Sequence, residues 1–397
     1  METAGPHLSS AIDGSHHHRY LQYAISILTA YKGNEPFHLF LKKYFALHKK
    51  HGSRDRKFIA ALCYNYFRLG YGVSGEMDRA GKLRLASYLC ETDAPQAPGA
   101  IVPLIEKLAV VGKQFDVEKI FPFADELSDE ITRRQYNASF LIQPKLYIRI
   151  RPGCKEVTAG KIKTAGLFFK DLGEGCLAFD NNEKVSGVID IDKEAVVQDY
   201  NSQKTLRMLQ ERVESREPGI SLWDCCAGSG GKSILAVDIL KQVQLTVSDK
   251  RINILESLEN RFNVAGIKNY KSVLVDLQLP CSTAGTIPGP FDCIIADVPC
   301  SGSGTWCRTP EQLAFFHKKD IATYAALQRK IMEHSIPHLK AGGYYVYITC
   351  SVFKKENEEN VAYIQREFHL SLLGMKYLEG YEMQADTLFV ALFTPKV

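Results

Sequence analysis

The chain has 397 residues, of which 45% are hydrophobic and 24% are charged, and this composition excludes a disordered or fibrous protein. Lys and Arg total 49 against 45 for Asp and Glu, so a net charge of +4 excludes a surface that is basic throughout. No apolar run approaches the roughly eighteen residues of a membrane span, and the eleven cysteines have neither zinc-ligand spacing nor the pattern of a secreted disulfide framework. We expect a soluble cytoplasmic protein of two or three domains that binds no metal.

The first third of the chain has helical periodicity. Apolar residues recur at intervals of three and four from Tyr20 to about Phe140, which predicts an all-helical domain over residues 1–142. Residues 95–103 are rich in Pro, Gly and Ala and are expected to form a loop. Residues 31–70 contain nine Lys and Arg but only two Asp and Glu. The local net charge of +7 suits an anionic partner.

The period changes from about four to two over residues 146–151, which predicts a strand. Its polar face would carry Tyr147, Arg149 and Arg151. An aromatic ring between two guanidinium groups suits a nucleic-acid surface, where rings stack on bases and cations hold phosphates. The alternative is an ordinary solvated strand face. We assign residues 143–200 to a small mixed α/β domain with a linker.

Beyond residue 218 apolar strands alternate with helical patterns, which predicts an α/β fold with a parallel sheet and helices on both faces. Ligands of such sheets bind at the carboxyl ends of the strands. We therefore assign residues 201–397 to a Rossmann-like domain and look for chemistry at the polar residues that end its strands. The predicted strands are Ile220–Asp224, Leu245–Asp249, Ser272–Asp276, Phe291–Asp297 and Gly343–Thr349.

A glycine-rich turn follows the first of these strands, at residues 226–232. Its last two residues and Ser233 read Gly-Lys-Ser, as in a phosphate-binding loop, but Cys226 stands where that motif requires its first glycine. The third glycine of the dinucleotide fingerprint is also absent. Asp249 ends the second strand and can accept hydrogen bonds from ribose hydroxyls. A turn and an acid without a phosphate cradle favour S-adenosylmethionine as the cofactor, the alternative being a plain strand-to-helix turn.

Cys300 and Cys350 each follow an apolar strand, so both are expected beside the cofactor site. Methylation of carbon 5 of cytosine requires a thiolate to add at carbon 6, and a second thiol or base can assist release of the product. Asp297, at the end of the fourth strand, can hydrogen-bond the base edge and draw electrons from the ring. For either cysteine alone, a core residue is an equal alternative.

The blocks Asp-Val-Pro-Cys-Ser-Gly-Ser-Gly and Thr-Cys-Ser-Val, together with the glycine turn, resemble the signatures of the RsmB/NOP/SUN family of RNA 5-methylcytosine methyltransferases. Weaker similarity at residues 52–56 suggests the NusB-like RNA-binding domain of its bacterial members. The chain departs from the family where Gly228-Ser229 replaces Ala-Pro and where Lys354 replaces a proline. Further matching blocks are Val197-Gln198-Asp199, Ser202-Gln203, Arg308-Thr309-Pro310-Glu311, Gln328, Lys340-Ala341-Gly342-Gly343 and Glu356-Asn357-Glu358.

The resemblance implies that Cys350 is the nucleophile and Cys300 the product-release cysteine, and that Lys232 positions the base or Asp297. Cofactor contacts are implied for Cys226, Ala227, Gly228, Ser229, Gly230, Gly231, Lys232, Asp249, Asp276 and Asp297. RNA contacts are expected from Arg54, Arg56, Arg149, Arg151 and Arg308.

The function that follows is S-adenosylmethionine-dependent methylation of carbon 5 of cytosine in RNA, with ribosomal RNA as the first expected substrate and transfer RNA as another. We expect a monomer. One alternative is an adenine amino-group methyltransferase, but that site would read Asn/Asp-Pro-Pro-Tyr where this chain has Val298-Pro299-Cys300. Another is an RNA-binding ribosome-assembly factor that keeps the cofactor site while catalysis is secondary.

Overall fold

The computed structural model describes residues 15–90, 104–213, 219–240, 242–279 and 287–396, so the predicted loop at 95–103 lies outside the described residues. The chain divides into two compact units. The first comprises Met1–Ala124, Thr132–Gln143 and Trp306–Phe316, and the second comprises Asp125–Ile131, Pro144–Thr305 and His317–Val397. The predicted three-domain division stays a prediction.

The first unit is helical, which confirms the helical periodicity of this part of the chain. Its core is rich in aromatic rings. Phe67 packs edge to face against Tyr31 and Phe37, and Phe315, from the segment Trp306–Phe316 of the same unit, packs against Tyr31. The helices are α1 (Ser15–Ala30), α2 (Phe37–Leu47), α3 (Ser53–Arg68), α4 (Arg79–Leu89), α5 (Leu104–Val111) and α6 (Arg133–Ser139), followed by the short helical turn Gln312–Phe315.

The second unit begins with a four-stranded antiparallel sheet in the order β2-β3-β1-β4. The predicted strand is present as β1, and Ile148 from this strand packs with Ile162 of the helix α7 in a small core. The elements are β1 (Leu146–Ile150), α7 (Lys155–Thr164), β2 (Lys170–Asp171), β3 (Cys176–Phe179) and β4 (Ala195–Val197).

A seven-stranded sheet forms the rest of this unit, in the order β10-β11-β9-β8-β5-β6-β7. The five strands from β9 to β7 are parallel, and β11 and β10 are antiparallel additions at one edge. The strands are β5 (Ser221–Asp224), β6 (Gln244–Asp249), β7 (Tyr270–Leu274), β8 (Phe291–Asp297), β9 (Leu339–Thr349), β10 (Leu370–Leu378) and β11 (Leu388–Pro395). The helices are α8 (Arg207–Val213), α9 (Gly231–Ile239), α10 (Ile252–Ala265), α11 (Lys319–Ser335) and α12 (Glu358–Glu367).

Both faces of this sheet are buried, as expected for a doubly wound α/β domain. Within β8, Cys293 and Ile295 point into one core while Ile294 and Ala296 point into the other. The Rossmann-like prediction is confirmed. Among the described residues, no helix combines the length and hydropathy needed to cross a membrane.

Candidate active site

The strand order reverses at β5, which has β8 on one side and β6 on the other. In open α/β sheets the crevice for a ligand opens at such a switch point, beyond the carboxyl ends of the strands. Asp224, Asp249, Asp297 and Cys350 stand at the carboxyl ends of β5, β6, β8 and β9, respectively. The sheet therefore brings together side chains that are more than a hundred residues apart in sequence.

The turn between β5 and α9 depends on glycine. Gly228 and Gly230 have φ angles of 52° and 84°, a left-handed conformation that favours glycine. A Cβ at Gly230 would come within 2.7 Å of the Phe262 ring, so this position also lacks space for a side chain. The backbone N–H of Ala227 donates to the Ser248 carbonyl at 2.9 Å and fixes the turn against β6. A ligand can thus approach the backbone of this turn closely.

Asp249 is directly beside the glycine turn. Its Oδ2 accepts from the Gly228 N–H at 3.2 Å, and the Arg251 guanidinium forks onto both carboxylate oxygens at 2.9 and 3.0 Å. Burial opposes ionisation, but these donors outweigh it and lower the pKa of Asp249. A negatively charged acceptor next to an open glycine turn fits the ribose of S-adenosylmethionine. Because the Arg251 side chain is 55% exposed, hydroxyl groups can displace it at small cost.

Asp224 is fully buried beneath the turn. Its Oδ2 accepts from the Ser233 hydroxyl in α9 at 2.6 Å, whereas its Oδ1 makes no hydrogen bond. Burial raises the pKa of this carboxyl to about 7, against the opposing effect of the Ser233 hydroxyl. The sequence prediction gave Asp224 no role, and only its place at the end of the first strand could have singled it out.

Lys232 and Asp297 form an ion pair on the floor of the crevice, with 2.5 Å between Lys232 Nζ and Asp297 Oδ2. Their side chains are 13% and 33% exposed, so the pair is partly shielded from water. Burial disfavours the ammonium, but the Asp297 carboxylate more than offsets this and raises the pKa of Lys232. The two predicted residues are therefore brought together as a charged pair with hydrogen-bonding capacity for a base edge.

The two candidate catalytic cysteines are also brought together. Cys300 Sγ and Cys350 Sγ are 3.1 Å apart, and the Cys350 backbone N–H donates to the Cys300 sulfur at 3.3 Å. The contact with the Cys350 thiol, together with burial, raises the pKa of Cys300 well above its usual range. Both side chains are partly accessible, and they share the crevice with the Lys232–Asp297 pair at the ends of adjacent strands. Cys300 is therefore protonated at neutral pH.

One buried carboxylate accepts hydrogen bonds from both of the loops that carry the cysteines. Glu356 is fully buried and accepts hydrogen bonds from the backbone N–H of Ser301 at 2.9 Å, from Gln328 Nε2 at 2.8 Å and from the Ser351 hydroxyl at 2.6 Å. Ser301 follows Cys300, and Ser351 follows Cys350. Glu356 and Gln328 were singled out in the sequence only as members of matching blocks, and their spatial relation could not be read there.

The prediction that Tyr147, Arg149 and Arg151 present a surface for RNA is wrong. Tyr147 and Arg149 are only 2% and 6% exposed, and the Tyr147 hydroxyl donates to the Met383 carbonyl. Arg149 and Arg151 both bind Asp238 of α9, at 2.6 and 2.8 Å. The alternation of β1 was identified correctly, but the face taken for a solvated one packs on the larger α/β core.

The other predicted RNA contacts belong to the helical unit. Arg54 is exposed and Arg56 is half-buried at the start of α3, where Arg56 Nε donates to the His51 carbonyl at 2.8 Å. Arg308 is half-buried within Trp306–Phe316.

Asp276, a predicted cofactor contact, lies just beyond β7 and accepts from the Gln278 backbone N–H at 3.0 Å. Among the residues that the structure describes, no group of three His, Cys, Asp or Glu could hold a metal ion.

Residues 213–395 match the family described as 16S rRNA methyltransferase RsmB/F. The human tRNA (cytosine(72)-C(5))-methyltransferase NSUN6 is 31% identical over 170 residues, which are 40% of this chain and 36% of that protein. Ribosomal RNA small subunit methyltransferase B of Xanthomonas campestris is 32% identical over 189 residues, which are 44% of this chain and 43% of that protein. The chain thus spans less than half the length of the curated relatives it matches.

Solved structures share the fold. PH0851 superposes with a TM-score of 0.68 and 17% identity over 95% of this chain and 98% of that one. NSun6 from Pyrococcus horikoshii, solved with SFG, superposes with a TM-score of 0.57 and 17% identity over 66% of this chain and 94% of that one. The segment 213–395, which carries the crevice described above, is therefore the part of the chain that is similar to the 16S rRNA methyltransferase RsmB/F family.

Proposed function

We propose that this protein transfers a methyl group from S-adenosylmethionine to carbon 5 of cytosine in RNA, with Cys350 as the nucleophile. The observation that carries the proposal is the pair of thiols 3.1 Å apart at the ends of two adjacent strands, beside the Lys232–Asp297 ion pair. Methylation of an amine or of an oxygen needs no thiol, whereas attack on a pyrimidine carbon needs one.

The two cysteines have different roles in this proposal. The thiolate of Cys350 adds to carbon 6 of the ring and forms a carbon–sulfur bond, and the electron pair moves toward carbon 5 and ring nitrogen 3. Asp297, which is paired with Lys232, accepts a hydrogen bond from the exocyclic amine or, in its protonated form, shares its proton with ring nitrogen 3 as that atom gains electron density. After methyl transfer, water or a base in the crevice takes the proton of carbon 5, the electron pair of that bond restores the double bond between carbons 5 and 6, and Cys350 leaves as a thiolate. Cys300, whose sulfur lies 3.1 Å from that of Cys350, assists this departure.

The bound S-adenosylmethionine supplies the methyl group. We assign the ribose hydroxyls to Asp249 and the remaining contacts to residues 226–232, with Asp276 and Asp297 at the ends of the flanking strands. The supporting observation is that Asp249 Oδ2 already accepts from Gly228 in the turn, so that the acceptor and the open backbone form one surface.

RNA is the proposed substrate, with ribosomal RNA first and transfer RNA second, because the names of the relatives include both. The target cytosine must be unpaired or turned out of a helix, since a thiol cannot reach carbon 6 of a stacked base. We propose that Arg54, Arg56 and Arg308 contribute to RNA binding and that the protein acts as a monomer in the cytoplasm.

The experiment is incubation of the wild type, Cys300→Ala, Cys350→Ala and the control Cys154→Ala with total RNA and radiolabelled S-adenosylmethionine. Cys154 is a partly exposed cysteine outside the crevice. Nucleosides are then separated, and the protein is run on denaturing gels.

We expect label in 5-methylcytidine with the wild type and with Cys154→Ala. A covalent protein–RNA adduct should accumulate with Cys300→Ala alone, because its release step is impaired. An adduct in Cys350→Ala would reverse the two roles. Cofactor binding without transfer to any RNA would contradict the proposal and favour an assembly factor that keeps the cofactor site.

A further inference from the structure

Two arginines share one carboxylate in the interior of the second unit. Arg149 Nη1 and Arg151 Nη2 bind opposite oxygens of Asp238, and the three side chains are 7%, 13% and 4% exposed. Arg151 Nε also donates to Asp238, and Arg151 Nη1 donates to the backbone carbonyls of Asp192 and Ala265, which carry no charge. This group therefore has one uncompensated positive charge away from water, an arrangement that is costly unless an anion approaches it.

Arg149 has a free donor that supports this view. Its Nε donates to Gln198 Oε1 at 2.9 Å and its Nη1 donates to Asp238, but its Nη2 has no hydrogen-bond partner. Buried donors without a partner are rare in folded proteins and mark places where a ligand or water belongs.

Arg149 also lines a cavity of about 500 Å³, a size that accommodates a small organic ligand. Its lining includes apolar side chains as well as hydrogen-bond donors. In this lining the Lys204 ammonium lies 3.3 Å from the centre of the Tyr200 ring, whereas the Arg207 guanidinium is paired with Glu174. The lining residues that matter here are Arg149, Tyr200, Gln203, Lys204, Leu235 and Ile239.

We propose that this cavity binds a nucleoside phosphate, with the phosphate between Lys204 and Arg149 and the base against Leu235 and Ile239. The positive charge of the lining favours an anion, and Leu235 and Ile239 favour one with an apolar organic part. The phosphate comes either from a free nucleotide or from one nucleotide of an RNA strand. The inference goes beyond the proposed reaction and does not depend on it, since the cavity is formed by residues outside the crevice.

The test uses the full chain and isothermal titration with uridine 5′-monophosphate, uridine and a hexauridylate without terminal phosphates. Uracil is chosen because it is neither the target base nor part of the cofactor. The variants are Lys204→Glu and Arg207→Glu, which change a half-buried and an exposed side chain of the lining. The control is Lys376→Glu, which makes the same charge change on the exposed side of β10.

We expect the phosphate-bearing probes to bind at least about tenfold more tightly than uridine, a difference of about 1.4 kcal/mol. Lys204→Glu should weaken them about tenfold, Arg207→Glu less, and Lys376→Glu by no more than about twofold. Tighter binding of the monophosphate identifies a free nucleotide as the source, and tighter binding of the hexamer identifies an RNA strand. Equal binding of uridine and its monophosphate, equal losses in Lys204→Glu and Lys376→Glu, or no binding of either phosphate-bearing probe would overturn the proposal.

Discussion

Replacement of Glu356 tests whether one buried carboxylate sets the distance between the two cysteines. In Glu356→Ala the Ser301 N–H, the Gln328 amide and the Ser351 hydroxyl lose their shared acceptor. At about 1 kcal/mol for each buried hydrogen bond, we expect a loss of about 3 kcal/mol in the free energy of unfolding. Release of the buried charge offsets part of this loss, since burial raises the pKa of Glu356 and so opposes its ionisation.

Glu356→Gln is the informative partner variant. Its carbonyl oxygen can take the position of Oε2, which accepts from Ser301 and Gln328, while its NH₂ group donates to the Ser351 hydroxyl after that hydroxyl rotates. We therefore expect Glu356→Gln to stay within about 1 kcal/mol of the wild type. The matched control is Glu367→Ala, which removes an exposed acid at the end of α12.

The assay has two readouts. Urea unfolding gives the change in stability, and capture of the Cys300 and Cys350 thiols by a trivalent arsenical, which must bond both sulfurs at once, reports their spacing. We expect Glu356→Ala to capture the reagent more slowly, and Glu356→Gln and Glu367→Ala to match the wild type. If Glu356→Ala is destabilised but captures the arsenical at the wild-type rate, the carboxylate supports the fold without setting the distance between the sulfurs.

Three further predictions concern the crevice. Burial raises the pKa of Asp224 to about 7, so the folded state binds this proton more tightly than the unfolded state and the wild type loses stability as pH rises from about 4 to 7. The difference in unfolding free energy between Asp224→Asn and the wild type should therefore change by about 3 kcal/mol in favour of the variant between pH 5 and pH 8, and parallel pH profiles would contradict this. Arg261 Nη1 donates to the Ser229 carbonyl at 2.8 Å and to the Ser229 hydroxyl at 3.0 Å. Arg261→Met should therefore loosen the glycine turn and weaken the binding of S-adenosylmethionine, measured by calorimetry, about tenfold. Unchanged affinity would show that the turn keeps its conformation without Arg261. A Cβ at Gly304 would lie 1.9 Å from the Thr387 carbonyl oxygen. Gly304→Ala should therefore lower the thermal unfolding midpoint by an amount that corresponds to about 1–3 kcal/mol. An unchanged midpoint would contradict this expectation.

The sequence predicts the strands well where burial alone decides them. The predicted limits of the strand at Phe291–Asp297 agree with the structure, since an apolar run that ends at a polar residue leaves little choice of boundary, and β1 ends one residue before its predicted limit. The neighbouring β9 begins at Leu339, four residues before the predicted start, because Leu339 pairs with Phe291 of β8 ahead of a shift in register. Pairing with a distant strand is a tertiary effect that no local pattern contains.

The same limit explains what sequence reasoning missed in the crevice. It identified Cys300, Cys350 and Asp297, because each of them ends or follows a strand and their chemistry belongs together. It could not identify Glu356 or Arg251 as partners, since the role of a carboxylate or guanidinium depends on which donors and acceptors the fold brings within about 3 Å.

The failure at β1 has a more specific cause. Period-two alternation predicts that Tyr147, Arg149 and Arg151 share one face of the strand. It does not predict whether that face contacts solvent or another part of the protein. A solvated face and a face that packs on a carboxylate give the same sequence pattern. Here the deciding residue is Asp238, nearly ninety positions further along the chain, which accepts from both guanidinium groups. Because two cations then share one buried anion, the error in the sequence prediction coincides with the place where the structure retains an unsatisfied positive charge.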